Sequence, residues 1–298
     1  MTNKSRKAPL NILLLILLLN WMQGDCQTGS LSPYSRYGIG DILQEGFTHQ
    51  NGMGGIGAGL SSPYNINFVN PASYVADTAT LFEFGARGEV RQLSINNQST
   101  TLNSASFSYF SLAFPIVKHK VSAAFGLLPF SSVGYNIEVD QKDIPNIGTV
   151  RTKYEGLGGF NKFFFSAGFR LSKSFSAGIN ASYLFGTIEN VKSVEFPFST
   201  NYYNSRYING VTAKGFYFNY GVLYEKELKN NLQIKAGLTG SLSTKINATN
   251  NQYYYNYVIS SFGGEIVKDS VYNEKVEQGK IRMPDYFRLG VTIGKPSE

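Results

Sequence analysis

The sequence predicts an all-β protein, a transmembrane antiparallel β-barrel, and three observations lead to this prediction. Apolar and polar residues alternate with a period of two over long segments, which is typical of strands with one apolar and one polar face. The chain contains 31 glycines and 14% aromatic residues but only 16% charged residues. Beyond residue 26 no apolar run reaches the roughly 18 residues that indicate a membrane-spanning helix, so any membrane crossing would be made by strands.

Residues 1–26 are predicted to be an export signal peptide. A basic stretch at residues 4–7 precedes an apolar run at residues 10–19, which is shorter than the roughly 20 residues needed to span a membrane. Cleavage after Cys26 would remove the only cysteine of the chain, so the mature protein would have no disulfide and no thiol chemistry. A lipoprotein with an acylated Cys26 is the alternative. Asp25 disfavours it, because a small residue normally precedes such a cysteine.

The glycine-rich stretch "NGMGGIGAGL" (residues 51–60) contains a match to the G-x-G-x-x-G pattern of dinucleotide-binding sites. A cofactor site would require a strand before these glycines and a helix after them. The preceding residues make a poor strand, and "SSP" at residues 61–63 would end a helix early. We therefore interpret the glycines as a flexible, close-packed backbone segment.

Eight strands are predicted between residue 80 and the end of the chain. The alternation places them near residues 81–95, 102–116, 121–139, 161–171, 175–193, 212–226, 232–247 and 284–293. The connections after the second, fourth and sixth strands are short, whereas those after the third, fifth and seventh have roughly 20, 18 and 36 residues. Short turns on one side and long loops on the other indicate an outer-membrane barrel with its turns in the periplasm. A soluble β-sandwich, the alternative, has no reason to sort its loops in this way.

Four charged residues of the first predicted strand share one face, namely Glu83, Arg87, Glu89 and Arg91. A basic residue facing the middle of the lipid bilayer would cost about 2–4 kcal/mol, so we expect this face to point into the barrel lumen. There the charges could pair with one another, contact the N-terminal residues or contact a substrate.

The sequence contains no recognisable pattern of catalytic or metal-binding residues. Its two histidines, His49 and His119, have no spacing that links them to a nucleophile or to each other. Lysines and arginines are scattered along the chain, which argues against nucleic acid as a partner. We therefore predict that the protein is not an enzyme and uses neither a metal nor a cofactor.

The order of these features resembles the FadL-type long-chain fatty-acid transporters of outer membranes. A signal peptide, the glycine-rich "GMGGIGAG" (residues 52–59), an Asn-Pro-Ala at Asn70, Pro71 and Ala72, and long amphipathic strands follow one another as in that family. The stretch "SPYSRYGIGD" (residues 32–41) looks like the Bacteroidetes branch of such proteins.

The resemblance implies an N-terminal plug at residues 27–79 and a barrel wall at residues 80–298. The plug motif would combine the Asn-Pro-Ala with Gly54, Gly55 and Gly57, and a simple turn before the first strand is the alternative. Transporters of this family have fourteen strands, and an eight-stranded barrel has an interior that side chains just fill, too small for such a plug. We therefore expect an incomplete, C-terminally truncated wall that stays open between its first and last strands.

The resemblance further implies passive uptake of hydrophobic small molecules, such as long-chain fatty acids, by a protein embedded among outer-membrane lipids. In that family a kink in the third strand opens the wall sideways. Proline cannot donate to a strand ladder, so Leu128, Pro129 and Phe130 are predicted to line such an opening, with a tolerated bulge as the alternative. The alternative function is a structural or assembly component of the envelope that binds protein partners through its long loops.

Overall fold

The computed structural model describes residues 32–95, 98–199, 201–228, 231–260 and 262–295, without the side chains of residues 95, 98, 277 and 278. The predicted signal peptide, residues 1–26, lies outside the described residues. Within the described ranges, no helix has the length and apolar character needed to cross a membrane.

Eleven antiparallel strands form one curled sheet, a half-barrel, and this confirms the predicted all-β antiparallel class. The strands are β1 (Asp41–Ile42), β2 (Leu81–Ile95), β3 (Gln98–Val117), β4 (Val121–Ile144), β5 (Gly148–Arg170), β6 (Phe175–Glu195), β7 (Asn204–Leu228), β8 (Leu232–Ser241), β9 (Thr244–Ile259), β10 (Glu265–Met283) and β11 (Tyr286–Gly294). The described residues before β2 form one short α-helix, α1 (Thr48–Gly52), and two 3-10 helices, Pro33–Arg36 and Pro71–Ala76.

Two pairs of these strands are long strands interrupted in the middle. β7 pairs with β8 through Asn219–Leu228 and with β9 through Asn204–Lys214, so β9 continues the course of β8. β10 and β11 are likewise consecutive and pair with β9 and β8, respectively. When each interrupted pair is taken as one strand, the half-barrel has the eight long strands that the alternation predicts.

The prediction of long loops after the third, fifth and seventh strands is wrong, because paired strands continue through much of these regions. β4 continues to Ile144 and β5 begins at Gly148, so the first of these loops is a hairpin of two paired strands. The strands continue in the same way through much of the other two. The alternation of apolar and polar residues is weak in these parts of the strands, because many residues on both faces are exposed. Side-chain pairs such as Arg151 with Asp140 (Nε–Oδ1 2.9 Å) accompany the backbone hydrogen bonds between the strands there.

Among the described residues the curled sheet does not close into a full barrel. β2 pairs only with β3, while at the opposite side β10 pairs only with β9 and β11 only with β8. The open wall expected from the sequence is therefore present.

An apolar band covers the outer face of the sheet near its short turns. On β6 the exposed large apolar side chains lie between Phe175 and Phe185, a length of 11 residues that matches a tilted membrane-crossing strand. β5 and β7 contribute exposed Phe163, Phe165, Phe169, Phe216, Phe218, Tyr220 and Val222 to the band. Residues 186–195 of β6 and 204–215 of β7 expose no large apolar side chain. On β6 and β7 the outer face therefore changes from apolar to polar partway along the strand, whereas β10 keeps exposed apolar residues such as Ile266, Val267 and Val271.

At the level where the outer face of β6 and β7 changes from apolar to polar, several neighbouring strands are bulged, bent or broken. β4 has an extra residue at Phe130 relative to β5, three neighbouring glycines (Gly158, Gly159 and Gly186) have positive φ, and β8 and β10 end there. Bulges and strand glycines bend a sheet locally. We call residues 81–86, 107–129, 160–185, 215–241 and 286–294 the lower half of the sheet, and residues 87–106, 131–159, 186–214 and 244–283 the upper half.

Two hydrophobic clusters hold the curled sheet together. The first lies at the level of these bulged and broken strands and contains Phe130, Val133, Tyr135, Phe160, Leu184, Ile188, Ala213, Tyr217, Ile246, Ala248 and Met283. The second joins β3, β4 and β5 to the residues before β2 and contains Phe47, Ile66, Phe68, Tyr74, Tyr109, Ala113, Ala124, Leu128 and Phe164. The residues before β2 are therefore part of the core.

Candidate functional site

The N-terminal segment, which we define as residues 32–80, lies against the inner face of the lower half. Its second 3-10 helix, Pro71–Ala76, contacts five consecutive strands, β3 to β7. The first five residues of this helix are all buried. This contact joins residues that are far apart in the chain, and we treat it as the candidate functional site.

Five glycines allow the backbone of the N-terminal segment to approach the sheet closely. They are Gly168, Gly178, Gly221, Gly237 and Gly290, and we call them the glycine row. A Cβ atom at Gly168 would lie 2.7 Å from the carbonyl oxygen of Pro71, and one at Gly290 would lie 2.8 Å from the backbone nitrogen of Gly59. These distances are shorter than van der Waals contact, so a side chain at either position would push backbone away from backbone.

The Asn-Pro-Ala motif begins the second 3-10 helix and fastens it to the sheet. Oδ1 of Asn70 accepts a hydrogen bond from the N–H of Ala72 at 3.0 Å, while its Nδ2 donates to the carbonyl oxygen of Ala58 at 2.5 Å. The same Nδ2 donates to the carbonyl oxygen of Val222 on β7 at 3.4 Å. Pro71 occupies the first helical position, where a missing N–H is tolerated. The structure thus joins the three residues in one unit, and their role in a plug stays a prediction.

The side-chain amide of Asn67 also holds several backbone groups of the segment together, and it was not predicted from the sequence. Its Nδ2 donates to the carbonyl oxygens of Gly57 at 2.8 Å and Leu60 at 2.9 Å, and its Oδ1 accepts from the N–H of Val69 at 3.1 Å. Nε2 of Gln50 also donates to this Oδ1. The only sequence signal was a polar residue inside the apolar run "INFV".

The predicted plug glycines form a turn and a tight contact. Gly54 and Gly55 follow α1 with φ of +77° and +81°, and the N–H of Gly55 donates to the carbonyl oxygen of Gln50 at 2.7 Å. Gly57 packs against Val69, where an added Cβ would lie 2.6 Å from the Val69 Cβ. This geometry lacks the strand–loop–helix arrangement of a dinucleotide site, in line with the interpretation of the sequence.

A buried ion pair anchors the N-terminal segment to the sheet. Nζ of Lys162 on β5 lies 2.5 Å from Oε1 of Glu45, and the lysine side chain is fully buried. Tyr286 and Arg288 of β11 approach the other carboxylate oxygen at 3.1 Å and 3.4 Å. Burial by itself would raise the pKa of Glu45, but the charges of Lys162 and Arg288 and the hydrogen bonds outweigh it and hold the pKa below its ordinary value. The Phe130 ring, 4.8 Å from Nζ, adds a cation–π contact.

Glu83, the first of the four charges predicted to face the lumen, contacts the N-terminal segment. Its Oε1 accepts a hydrogen bond from the N–H of Ile66 at 2.6 Å. Near it lies Asp77, which is 1% exposed and directly follows the second 3-10 helix. Burial and the neighbouring Glu83 carboxylate raise the pKa of Asp77 to about 8.

The other three predicted charges lie in the upper half, close to the beginning of the N-terminal segment. Nε of Arg91 lies 2.5 Å from Oε1 of Glu89, and its NH1 lies 3.5 Å from Oδ2 of Asp41 in β1. Arg87 lines a small cavity together with Tyr109 and residues of the segment. The contacts are with the protein itself, and a role toward a substrate stays a prediction.

The predicted lateral opening coincides with a separation of β3 from β4. Their pairing runs as far as Phe110 with Leu127 and then ends, two residues before Pro129. Proline has no N–H to donate to β3, which gives a physical reason for the end of the ladder. Phe130 is the bulged residue relative to β5. Leu128 is buried in the core below the N-terminal segment, so whether these residues open a path stays a prediction.

A cavity of about 670 Å³ lies between the N-terminal segment and the last strands. Its lining is largely apolar and includes Ile39, Leu43, Phe130, Tyr217 and Met283, with Glu45 and Arg288 also at its surface.

The two histidines lie far apart, His49 in α1 and His119 in the β3–β4 turn. The described part of the chain contains no group of three His, Cys, Asp or Glu residues that could hold a metal ion.

One protein-family model matches the sequence of this chain. The BamG family model matches residues 10–298, nearly the whole chain. The chain belongs to the BamG family. No curated protein matches it, and no solved structure does.

Membership of the BamG family corrects two predictions. The resemblance to FadL-type transporters is wrong, and with it the uptake of fatty acids as the function. The physical reason lies in the features that carried the resemblance. In this BamG-family protein the glycines, the Asn-Pro-Ala and the alternating strands seat a segment on a curled sheet, which is a matter of architecture and carries no information on a ligand.

Proposed function

We propose that this protein is a structural, non-catalytic component of the machinery that assembles β-barrel proteins in the outer membrane. The observation that carries the proposal is the match of the BamG family model to residues 10–298, because the family name refers to the β-barrel assembly (BAM) complex. The half-barrel fold agrees with an association with the outer membrane. The alternative function drawn from the sequence, an assembly component of the envelope, is therefore the one we retain.

The N-terminal segment that covers the inner face of the lower half supports a role as a rigid scaffold protein. The N-terminal segment acts as a fixed plug in this proposal, because the glycine row admits its backbone and the Lys162–Glu45 pair holds it. Removing one partner of a buried ion pair costs about 3–5 kcal/mol, so release of the segment during each cycle of a transporter would be expensive. A segment seated in this way stiffens the half-barrel and leaves its outer surfaces for protein contacts.

The two halves of the sheet suggest how the scaffold sits in the membrane. The apolar band of the lower half is as long as a membrane-crossing strand and would face lipid. The short turns would then lie in the periplasm, and the upper half would stand outside the membrane. The tall hairpins of the upper half, which expose polar side chains and, on β10, apolar ones such as Val267 and Val271, would be available to partner proteins of the envelope.

Purification from native membranes tests the proposal. A tagged copy of the full chain, extracted in a mild detergent, is expected to bring with it the BAM complex in fixed proportions. Depletion of the protein is expected to lower the amount of folded, heat-modifiable barrel proteins in the outer membrane. Isolation of the protein by itself, together with undisturbed barrel assembly after depletion, would refute the proposal.

A matched pair of variants makes this test specific for the built site. Gly178→Val places a side chain against Pro71, whereas Ala177→Val changes the neighbouring, outward position on β6. The first variant is expected to lose association with the BAM complex, and the second is expected to retain it.

A further inference from the structure

We infer that the edge of β4 above Gly134 binds an extended segment of a partner envelope protein as an added antiparallel strand. The inference rests on the proposed function and names the kind of contact through which a partner would be held. It concerns residues 135–141 of the upper half, above the apolar band.

Two unpaired edges face the same gap. β4 continues beyond Leu127 to Ile144 with β5 as its neighbour on one side. On its other side, within the part of the chain that the structure describes, only the N-terminal segment pairs with it. β3 from Gln98 to Tyr109 is paired on one side with β2, and its side toward β4 has no strand among the described residues. Backbone N–H and C=O groups along such edges are ready to pair with another strand.

The N-terminal segment shows that this edge accepts an added strand. β1 pairs antiparallel with β4, with Asp41 opposite Ser132, and the N–H of Leu43 donates to the carbonyl oxygen of Phe130 at 2.9 Å. Higher on the edge, the N–H of Ser32 donates to the carbonyl oxygen of Gly134 at 2.9 Å. Among the described residues, the backbone pairing by the segment reaches Gly134, and the edge continues beyond it.

The direction of the free backbone groups follows from Gly134. Its carbonyl oxygen accepts from Ser32, and its N–H donates to Oγ of Ser35 at 3.1 Å, so both groups point into the gap. Alternate residues of an antiparallel strand present their backbone groups on the same side. Asn136, Glu138 and Asp140 therefore present an N–H and a C=O to the gap, and all three are exposed.

The chemistry of the edges indicates the composition of the partner segment. Natural edge strands are protected by charged residues or proline, and the facing β3 stretch "STTLNSAS" (residues 99–106) has neither. On β4, Glu138 and Asp140 both pair with Nε of Arg151 on β5, at 2.8 Å and 2.9 Å. Arg151 offsets one of these two charges, and Lys142 and Lys153 are further cations close to Asp140. The gap suits an extended segment of uncharged polar and apolar residues.

Residue-level crosslinking in the native complex tests the inference. A photo-crosslinking amino acid is placed in turn at Asn136, Glu138 and Asp140 of the full chain, with Thr187 as a matched control. Thr187 is also exposed in the upper half, but it lies on β6, which is paired on both sides. We expect the three edge positions to form adducts with one partner protein at two-residue steps, in an order antiparallel to β4. The control position is expected to show no such series.

Proline scanning gives a second readout. Glu138→Pro removes a donor that points into the gap and leaves the pairing with β5 intact, so loss of the adducts at residues 136 and 140 is expected. Glu138→Ala is expected to keep them.

Three results would overturn the inference. They are an intact BAM association without edge adducts, adducts with a second copy of this chain, and adducts without a two-residue step. Because the first of these leaves the BAM association in place, failure of the inference is distinguishable from failure of the proposed function.

Discussion

The lower and upper halves of the sheet belong to the same eight long strands, yet they are stabilised by different means. In the lower half an apolar band covers the outer face, and the inner face packs against the N-terminal segment through the glycine row. In the upper half many residues on both faces are exposed. Charged pairs accompany the ladder there, such as Lys153 with Glu195 at 2.9 Å and Arg206 with Glu265 at 2.7 Å. Strand pairing and charged pairs thus contribute more in the upper half, where burial is limited to residues such as Val133, Ile188 and Ala248 of the first hydrophobic cluster and to Tyr257.

This difference leads to unequal expectations for substitutions. In the lower half a side chain is buried against backbone or an opposite charge, so its replacement leaves strain or an unpaired group. In the upper half most pairs face water, where a single ion pair contributes little.

Loss of the buried cation should have the largest effect. Lys162→Ala leaves Glu45 buried with Arg288 alone as its charged partner, and we expect the free energy of unfolding to fall by about 3–5 kcal/mol. Chemical denaturation of the detergent-solubilised protein measures this change. The double variant Lys162→Met with Glu45→Gln removes both charges and should recover most of the stability. If the single variant is as stable as the original protein, the pair does not anchor the segment.

Overpacking of the glycine row should rank second. Gly178→Val forces the backbone around Pro71 away from β6, with an expected loss of about 1–3 kcal/mol, the usual range for overpacked cores. Ala177→Val faces outward and serves as the control, with an expected change near zero. Equal stability of the two variants in denaturation would contradict the close contact.

Titration of Asp77 should make the free energy of unfolding depend on pH. Its pKa in the folded protein is about 8, above the ordinary value of 3.8, so the folded state retains a proton that the unfolded chain has already lost. Stability from this group is complete below about pH 4 and declines as the pH rises to about 8, by up to about 1.4 kcal/mol per pH unit. Asp77→Asn should flatten the dependence of unfolding free energy on pH in that window. An unchanged slope in the variant would show that Asp77 is ionised in the folded protein.

A pair in the upper half should matter least. Arg151→Ala removes contacts to Glu138 and Asp140 that are open to water, and we expect a change below about 1 kcal/mol. The same denaturation assay measures it. A loss as large as that of Lys162→Ala would remove the contrast between the two halves.

The sequence predicted the lower half well because its apolar outer face and buried inner face impose a period of two on it. The stretch from Phe175 to Phe185 shows this, with apolar residues outward and buried Ser176, Asn180 and Ser182 inward. Only the part of the upper half farthest from the apolar band was mistaken for loops, since strand residues there, such as 140–143, are exposed on both faces and carry no such period. Pairing between distant strands leaves no local signal in a sequence.

The candidate site was predictable only in part. The Asn-Pro-Ala stood out because its residue types have strong turn preferences. The glycine row did not, because its members lie on five different strands, between residues 168 and 290, and meet only in the fold. Lys162 was missed for the same reason. Its partner, Glu45, lies 117 residues away in the chain, in a region with no regular strand.

Hydrogen–deuterium exchange of the protein in detergent or lipid nanodiscs tests the central claim, that the N-terminal segment is a permanent part of the lower half. We predict that amides of residues 67–76 exchange as slowly as those of residues 176–184 of β6, and more slowly than those of residues 136–141 at the free edge of β4. Exchange of residues 67–76 at the rate of an exposed loop, with β6 still protected, would contradict the account.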